Sequence, residues 1–335
     1  MFFLLNLIFS FTIQSPIVFA APTKRLSTTA VITADFPDPS LIRVRNGWYS
    51  FATTNGKNNV QIARSQDFAK WTVLGQDALP RLPAWASGPV WAPDVIQRDD
   101  GSFVMYYSAA LTQFSAHHCV GAAFSANIEG PYIAQDHPLV CPDPTGNGAN
   151  LNPSITSPGA GGAIDAAGFR DTDGQLYLLW KVDGNSVGSG GVCGNTIAPQ
   201  RSTPIMIVAV QADGVTPKGN PIQLLDRDDS DGPLVEAPNL VRTTDGGYVL
   251  FYSSNCYTTP GYDVAYATSK TLLGPYVKAP NPLIMTGTQG LSAPGGASIA
   301  ADGQHMVFHA NVGTGRGMFA TTISGDANSN SIRFS

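Results

Sequence analysis

Charged residues are scarce in this chain, at 13% of 335, and the formal net charge is only −5. The one basic pair is Lys24-Arg25. A nucleic-acid partner is therefore excluded, because phosphate binding needs a cationic stripe. Cysteine is also sparse. Cys119, Cys141, Cys193 and Cys256 form no Cys-x-x-Cys pair, which removes the usual zinc and dithiol-redox patterns. Long apolar runs are missing after the first 20 residues, so no membrane span is expected there. No open Asn-x-Ser/Thr site exists, since Pro153 blocks the one at Asn152.

Glycine (35) and proline (25) are abundant, and 43% of residues are hydrophobic. That balance suits an all-β chain with many turns and excludes both a helical bundle and disorder. Residues 1–20 read as a secretory signal, with Phe2-Phe3-Leu4-Leu5 in the apolar core and Val18-Phe19-Ala20 at a plausible cleavage site. Polar Asn6, Ser10, Gln14 and Pro16 weaken the rival reading of an anchor. Residues 21–30 form a short N-terminal segment with a candidate dibasic processing site, and 31–335 one catalytic domain. A secreted chain with four cysteines suggests disulfides. Of three pairings, Cys119–Cys141 with Cys193–Cys256 is favoured because neighbours within a sheet close short loops.

Self-similarity carries the fold. Five times a strand enters a tight polar turn and returns as an aromatic-rich strand: Asn46-Gly47-Trp48-Tyr49-Ser50-Phe51, Asp100-Gly101-Ser102-Phe103, Asp173-Gly174-Gln175-Leu176-Tyr177, Asp245-Gly246-Gly247-Tyr248 and Asp302-Gly303-Gln304-His305. Asn-Gly and Asp-Gly provide the positive φ of tight hairpins, and the residues after them favour strand. A later signal repeats as well, in Ser65 to Trp71, Ser125 to Tyr132 and Ser269 to Tyr276. Five such units predict a five-bladed β-propeller rather than a β-sandwich.

The innermost strand of each unit should line the axis, and acids recur there: Asp38, Asp94, Asp165 and Glu236. The fifth unit has Ser292-Ala293-Pro294-Gly295-Gly296 instead. Carboxylates converging at one mouth suit glycosidic-bond hydrolysis, in which one acid protonates the leaving oxygen and one carboxylate activates water. Asp94, after Trp91-Ala92-Pro93, is read as structural. Alone, Asp38 is a turn residue, Asp165 a hydrogen-bonded structural carboxylate and Glu236 a strand-end residue; only together do they make a site.

The motifs Phe36-Pro37-Asp38-Pro39-Ser40, Val90-Trp91-Ala92-Pro93-Asp94, Ala163-Ile164-Asp165 and Val235-Glu236-Ala237-Pro238 resemble glycoside hydrolase family 43. The resemblance runs from about Asp35 to near Thr322. It implies the propeller and an inverting mechanism with Asp38 as general base, Glu236 as general acid, and Asp165 tuning and orienting that acid. Glu236 is expected to hold a proton near neutral pH, aided by burial and the neighbouring Asp165. Phe36, Trp91 and Ile164 are substrate-contact candidates, the two aromatics as an apolar floor under a pentose. Arg316, between glycines, resembles the family arginine that meets substrate hydroxyls and the acids. His309 is expected at the axis. There the resemblance suggests a structural calcium ion, although no cofactor is required and no catalytic metal site is expected. The fifth motif departs from the Ala-Pro-Gly-His pattern of many relatives, which puts an ion contact from that position in doubt. Specificity is expected from the loops 113–118, 142–158 and 184–203.

The expected activity is release of xylose or L-arabinofuranose from xylan or arabinan: a β-xylosidase with α-L-arabinofuranosidase action. The alternatives are an endo-arabinanase and, in another class, a non-catalytic sugar-binding propeller. Plant cell-wall polysaccharide is the expected partner, a monomer the expected state, and the extracellular space the expected location.

Overall fold

The computed structural model describes residues 26, 29–141, 161–313 and 315–335. The expected signal, the Lys24-Arg25 pair and the 142–158 loop lie outside the described residues. Among the described residues twenty strands form five four-stranded antiparallel sheets. The first comprises β1 (Ser40–Val44), β2 (Gly47–Ala52), β3 (Gln61–Ser65) and β4 (Thr72–Val73). The second comprises β5 (Ala86–Gln97), β6 (Phe103–Leu111), β7 (His118–Ser125) and β8 (Ile133–Ala134). The third has β9 (Gly162–Arg170), β10 (Leu176–Asp183), β11 (Ile205–Val210) and β12 (Ile222–Leu225). The fourth has β13 (Val235–Arg242), β14 (Tyr248–Ser254), β15 (Ala265–Ser269) and β16 (Val277–Lys278). The fifth has β17 (Gly295–Ile299), β18 (His305–Val312), β19 (Gly315–Asp326) and β20 (Ser331–Phe334). In each sheet the strands follow chain order, so every connection is a simple reversal. The sheets are the blades of a five-bladed β-propeller.

The packing follows the ring. Five apolar clusters each fill one junction between neighbouring blades. Phe51 and Ile62 meet Val95 and Met105. Tyr106 meets Leu178 and Trp180. Leu179 and Ile207 meet Val235 and Leu250. Phe251 and Val264 meet Met306 and Phe308. Leu41 and Trp48 meet Val307 and Met318, closing the circle. Burying both faces of a sheet in this way leaves only short outer edges to manage.

Closure also uses the segment before β1. Val31 N–H donates to the Met318 carbonyl at 2.8 Å, Met318 N–H to the Ile32 carbonyl at 3.0 Å, and Phe36 N–H to the Arg316 carbonyl at 2.8 Å. Phe36 is thereby drawn into the first–fifth junction and is fully buried with Ile32, Leu41 and Met318. With no exposed surface it cannot meet a sugar ring, so the expectation that it floors a sugar site is corrected.

Both favoured disulfides, Cys119–Cys141 and Cys193–Cys256, are formed. The second ties the 184–203 loop of the third blade to the loop after β14. Among the described residues no helix is long and apolar enough to cross a membrane.

Candidate active site

Each innermost strand carries the same local distortion. Asp38 (φ 53°), Ala92 (42°), Asp165 (56°), Ala237 (52°) and Gly296 (57°) all adopt positive φ. The ladders shift register there, between Trp91 and Asp94, Glu236 and Asn239, and Gly295 and Ser298, and opposite Asp165. A non-glycine residue in this region is uncommon and costs about 1–3 kcal/mol.

A closed circuit of hydrogen bonds holds the five kinks. The kink N–H of each blade donates to a side chain of the preceding blade. Asp38 donates to His309 Nδ1 (3.0 Å), Ala92 to Thr53 Oγ1 (2.9 Å), Asp165 to Ser108 Oγ (3.0 Å), Ala237 to Asp165 Oδ2 (3.0 Å) and Gly296 to Ser253 Oγ (2.9 Å). In the first four blades the kinks turn one or two side chains toward a common mouth, while the fifth has Gly295 and Gly296 there. The residue two positions further on sits lower in the channel, as Ser40, Asp94, Ala167, Asn239 and Ser298. This explains why Asp94 stands apart from the other acids. Its Oδ2 accepts the Gly168 N–H at 2.8 Å, and burial pushes its acidity down, to a pKa of about 6.

The mouth opens into a cavity of about 350 Å³ lined by Asp38, Asp165 and Glu236 together with Trp91, Ile164 and Arg316. Six of the eight residues singled out in the sequence thus share one cavity. Phe36 is in the core, and His309 lies fully buried directly beneath Asp38.

The three acids differ in surroundings. Asp38 is buried, and this largest influence opposes ionisation, yet the Arg316 guanidinium, His309 and the Thr53 hydroxyl together outweigh it and hold its carboxyl below the usual range. Arg316 Nη1 donates to Oδ1 at 3.0 Å, and the Thr53 hydroxyl donates to Oδ2 at 2.6 Å. Asp38 is therefore a stable carboxylate. Asp165 is pushed the other way, first by burial and then by the Glu236 carboxylate. Glu236 has donors on both oxygens: Lys181 Nζ to Oε2 at 3.0 Å and the Tyr262 hydroxyl to Oε1 at 2.8 Å. The sequence suggests a proton resting on Glu236. In the structure it is Asp165 whose acidity is weakened, to a pKa of about 8.

His309 tests the calcium expectation. Its Nδ1 accepts the Asp38 N–H, and burial followed by Arg316 lowers its pKa to about 3. The ring is neutral and carries its hydrogen on Nε2, leaving no lone pair free for a metal. No group of three or more His, Cys, Asp or Glu side chains placed to hold an ion occurs among the described residues. A calcium ion ligated by His309 does not fit these residues. The fifth motif has its reason here too: a Cβ on Gly296 would fall 2.8 Å from His309 Nδ1, so the imidazole fills the room a side chain there would need.

Several lining residues were not singled out in the sequence, although His118 and Asn185 lie in loops expected to wall the pocket. Tyr257 is 49% exposed, and the Arg316 guanidinium lies 5.2 Å from its ring centroid. His118 stacks on Trp91 at 3.9 Å. Lys181, Asp183, Asn185 and Tyr262 also line the cavity. The polar residues of the circuit were legible in principle. Thr53, Ser108, Lys181, Ser253 and His309 follow the apolar and aromatic run of the five returns in turn. Two of the expected loop walls do contribute, through Ala116 and through Asn185, Ser186 and Cys193.

A ring of five sheets with three acids at one axial mouth defines a β-propeller with a carboxylate-lined sugar-sized cavity. The chain belongs to glycosyl hydrolases family 43, whose family model matches residues 27–324. It is 28% identical over 263 residues to an extracellular endo-α-(1→5)-L-arabinanase of Thermotoga petrophila, covering 71% of this chain and 50% of that protein. It is 28% identical over 306 residues to extracellular endo-α-(1→5)-L-arabinanase 2 of Bacillus subtilis, covering 84% of this chain and 57% of that one. The chain thus spans about half the length of these relatives. Among solved structures, a thermostable family-43 glycoside hydrolase superposes with a TM-score of 0.74 at 24% identity, over 93% of this chain and 96% of that one. At that identity the likeness is one of fold.

Proposed function

We propose that the protein is a secreted, inverting glycosidase that cleaves L-arabinofuranosyl or xylosyl bonds in plant cell-wall polysaccharides and their fragments. The observation that carries this is the single cavity containing an ionised Asp38, an Asp165 whose acidity is weakened, and Glu236. Asp38, held as a carboxylate by Arg316 and Thr53, takes a proton from water as the water attacks the anomeric carbon. Glu236 gives its proton to the leaving oxygen. Asp165 tunes and orients that acid. Trp91 and Tyr257 offer apolar faces to a sugar ring. The two disulfides and the extracellular designation of both relatives support secretion.

A cavity of about 350 Å³ is at the small end for ligand sites and suits one or two pentosyl units, which favours removal from chain ends. The names of the two relatives favour a second reading, internal cleavage of 1,5-linked arabinan. Product analysis on linear arabinan and on xylo-oligosaccharides separates them. Monosaccharide from the first minutes supports end-wise release; a ladder of oligomers supports internal cleavage. Asp38→Ala and Glu236→Ala should each abolish hydrolysis of unactivated substrate. Retention of hydrolysis in either would refute the assignment. Sugar binding without hydrolysis by the unmutated protein would make it a sugar-binding propeller.

A further inference from the structure

The circuit has one irregular member. At the height of the mouth, the second strand of each blade carries a polar residue, opposite Trp91 in Ser108, Ile164 in Lys181, Glu236 in Ser253 and Gly295 in His309. Thr53 holds the same place in the first blade, its N–H donating to the Pro37 carbonyl at 3.1 Å. Four of the five accept the kink N–H of the next blade. Lys181 does not, because an ammonium has three donors and no lone pair. The Ala237 N–H turns to Asp165 instead, and the lysine is freed for another use.

That use is electrostatic. The Lys181 side chain is 1% exposed, with Nζ 3.0 Å from Glu236 Oε2 and 3.2 Å from Asp183 Oδ1. A cation buried to this degree is costly unless it is paired. Burial alone disfavours the ammonium, but Glu236, Asp183 and Asp165 outweigh it, so Lys181 is charged at every working pH. A serine or threonine would meet the architectural need, as it does in three other blades.

We propose that Lys181 is a positioning residue for proton donation: its fixed charge stabilises the negative charge that develops on Glu236 as the leaving oxygen is protonated, and Asp183 sets the share of that charge Glu236 receives. The inference rests on the reading of Glu236 as proton donor. In the step concerned, the glycosidic C–O bond breaks with its electron pair going to the leaving oxygen. The Glu236 proton passes to that oxygen, and the incoming water bonds to the anomeric carbon while losing a proton to Asp38. A negative charge therefore appears at Glu236, 3.0 Å from the ammonium, as the bond breaks. The other charged or titratable groups lining the same cavity are Asp183 on β10, Asp165 on β9, Tyr257 and Tyr262 between β14 and β15, His118 on β7, Asp38 before β1 and Arg316 on β19. His309 on β18 stacks against Tyr262.

The test compares the pH dependence of kcat/KM for the unmutated protein, Lys181→Met and Asp183→Asn. Two substrates are used, a pentobiose with a poor leaving group and a 4-nitrophenyl pentoside that needs little acid assistance. The alkaline limb reports the proton donor. Lys181→Met should move it up by about one unit or more. It should also cost at least about tenfold more activity on the pentobiose than on the nitrophenyl substrate. Asp183→Asn gives Glu236 an undivided share of the cation and should move the limb down. Limbs within about 0.3 unit of the unmutated protein in folded variants, against the shift expected for a nearby charge, would overturn the proposal. So would equal losses on both substrates. If Lys181→Met does not fold, the direction of the Asp183→Asn shift decides by itself. Absence of hydrolysis by the unmutated protein on both substrates would overturn the underlying function, and that result is in hand before any variant is compared.

Discussion

Replacing Arg316 with methionine removes the cation that holds Asp38 ionised, and its effect can be worked from the geometry. Arg316 Nη1 and Asp38 Oδ1 are 3.0 Å apart, with side chains 22% and 20% exposed. Charge centres about 4 Å apart attract by roughly 4 kcal/mol at an effective dielectric of 20, which corresponds to about three pH units. Water reaching the pair reduces this, and the common range for an aspartate beside an arginine is about one to three units. Burial, the largest influence on Asp38, raises its pKa and would then act unopposed by Arg316. The general base should therefore take up its proton at a higher pH. The acid limb of kcat/KM should move up by about one to two units in Arg316→Met, with the alkaline limb in place. Stopped assays from acid to alkaline pH on a nitrophenyl pentoside measure it. An acid limb that stays put while kcat/KM falls would show that Arg316 only binds substrate, and the reasoning about Asp38 would fail.

Other consequences follow from the same geometry. Glu236→Gln should cost about a hundredfold or more in kcat on an unactivated pentoside and far less on a nitrophenyl one, since acid catalysis commonly supplies about 10²–10⁴; parallel losses would contradict it. Gly296→Ala places a Cβ 2.8 Å from His309 Nδ1 at φ 57°, so calorimetry should show destabilisation by about 1–3 kcal/mol; an unchanged Tm would contradict the packing argument. Asp94 has a folded pKa of about 6 against an ordinary 3.8, so its contribution to stability is full below the ordinary value and lost as pH rises through 6. Asp94→Asn should therefore flatten the fall in Tm between about pH 4 and 7, which corresponds to about 2–3 kcal/mol; identical Tm profiles would refute this.

Local chemistry explains which parts of the molecule the sequence made legible. Asn46-Gly47 and the four Asp-Gly turns specify hairpins by backbone preference alone, and five hairpins in register specify blades. Asp38, Asp165 and Glu236 stood out because each interrupts an apolar inner strand near the same point of its repeat, Glu236 one residue ahead of the place that Asp38 and Asp165 hold. Phe36 was misplaced because its burial depends on pairing with β19, nearly the whole chain away, which no local pattern announces. Tyr257 and Tyr262 sit on the irregular loop held by Cys256, where periodicity carries no information. Lys181 was visible as a lysine in Leu179-Trp180-Lys181-Val182. Its meaning emerges only when the five returns are aligned and the other four positions prove to be hydrogen-bond acceptors.

Proton NMR of the first sugar released, recorded before mutarotation, probes the division of labour between residues 38 and 236 most directly. A base that activates water across the ring from the proton donor yields the anomer opposite to that of the substrate bond. An initial product with the substrate's own configuration would require a covalent sugar intermediate and would contradict the account.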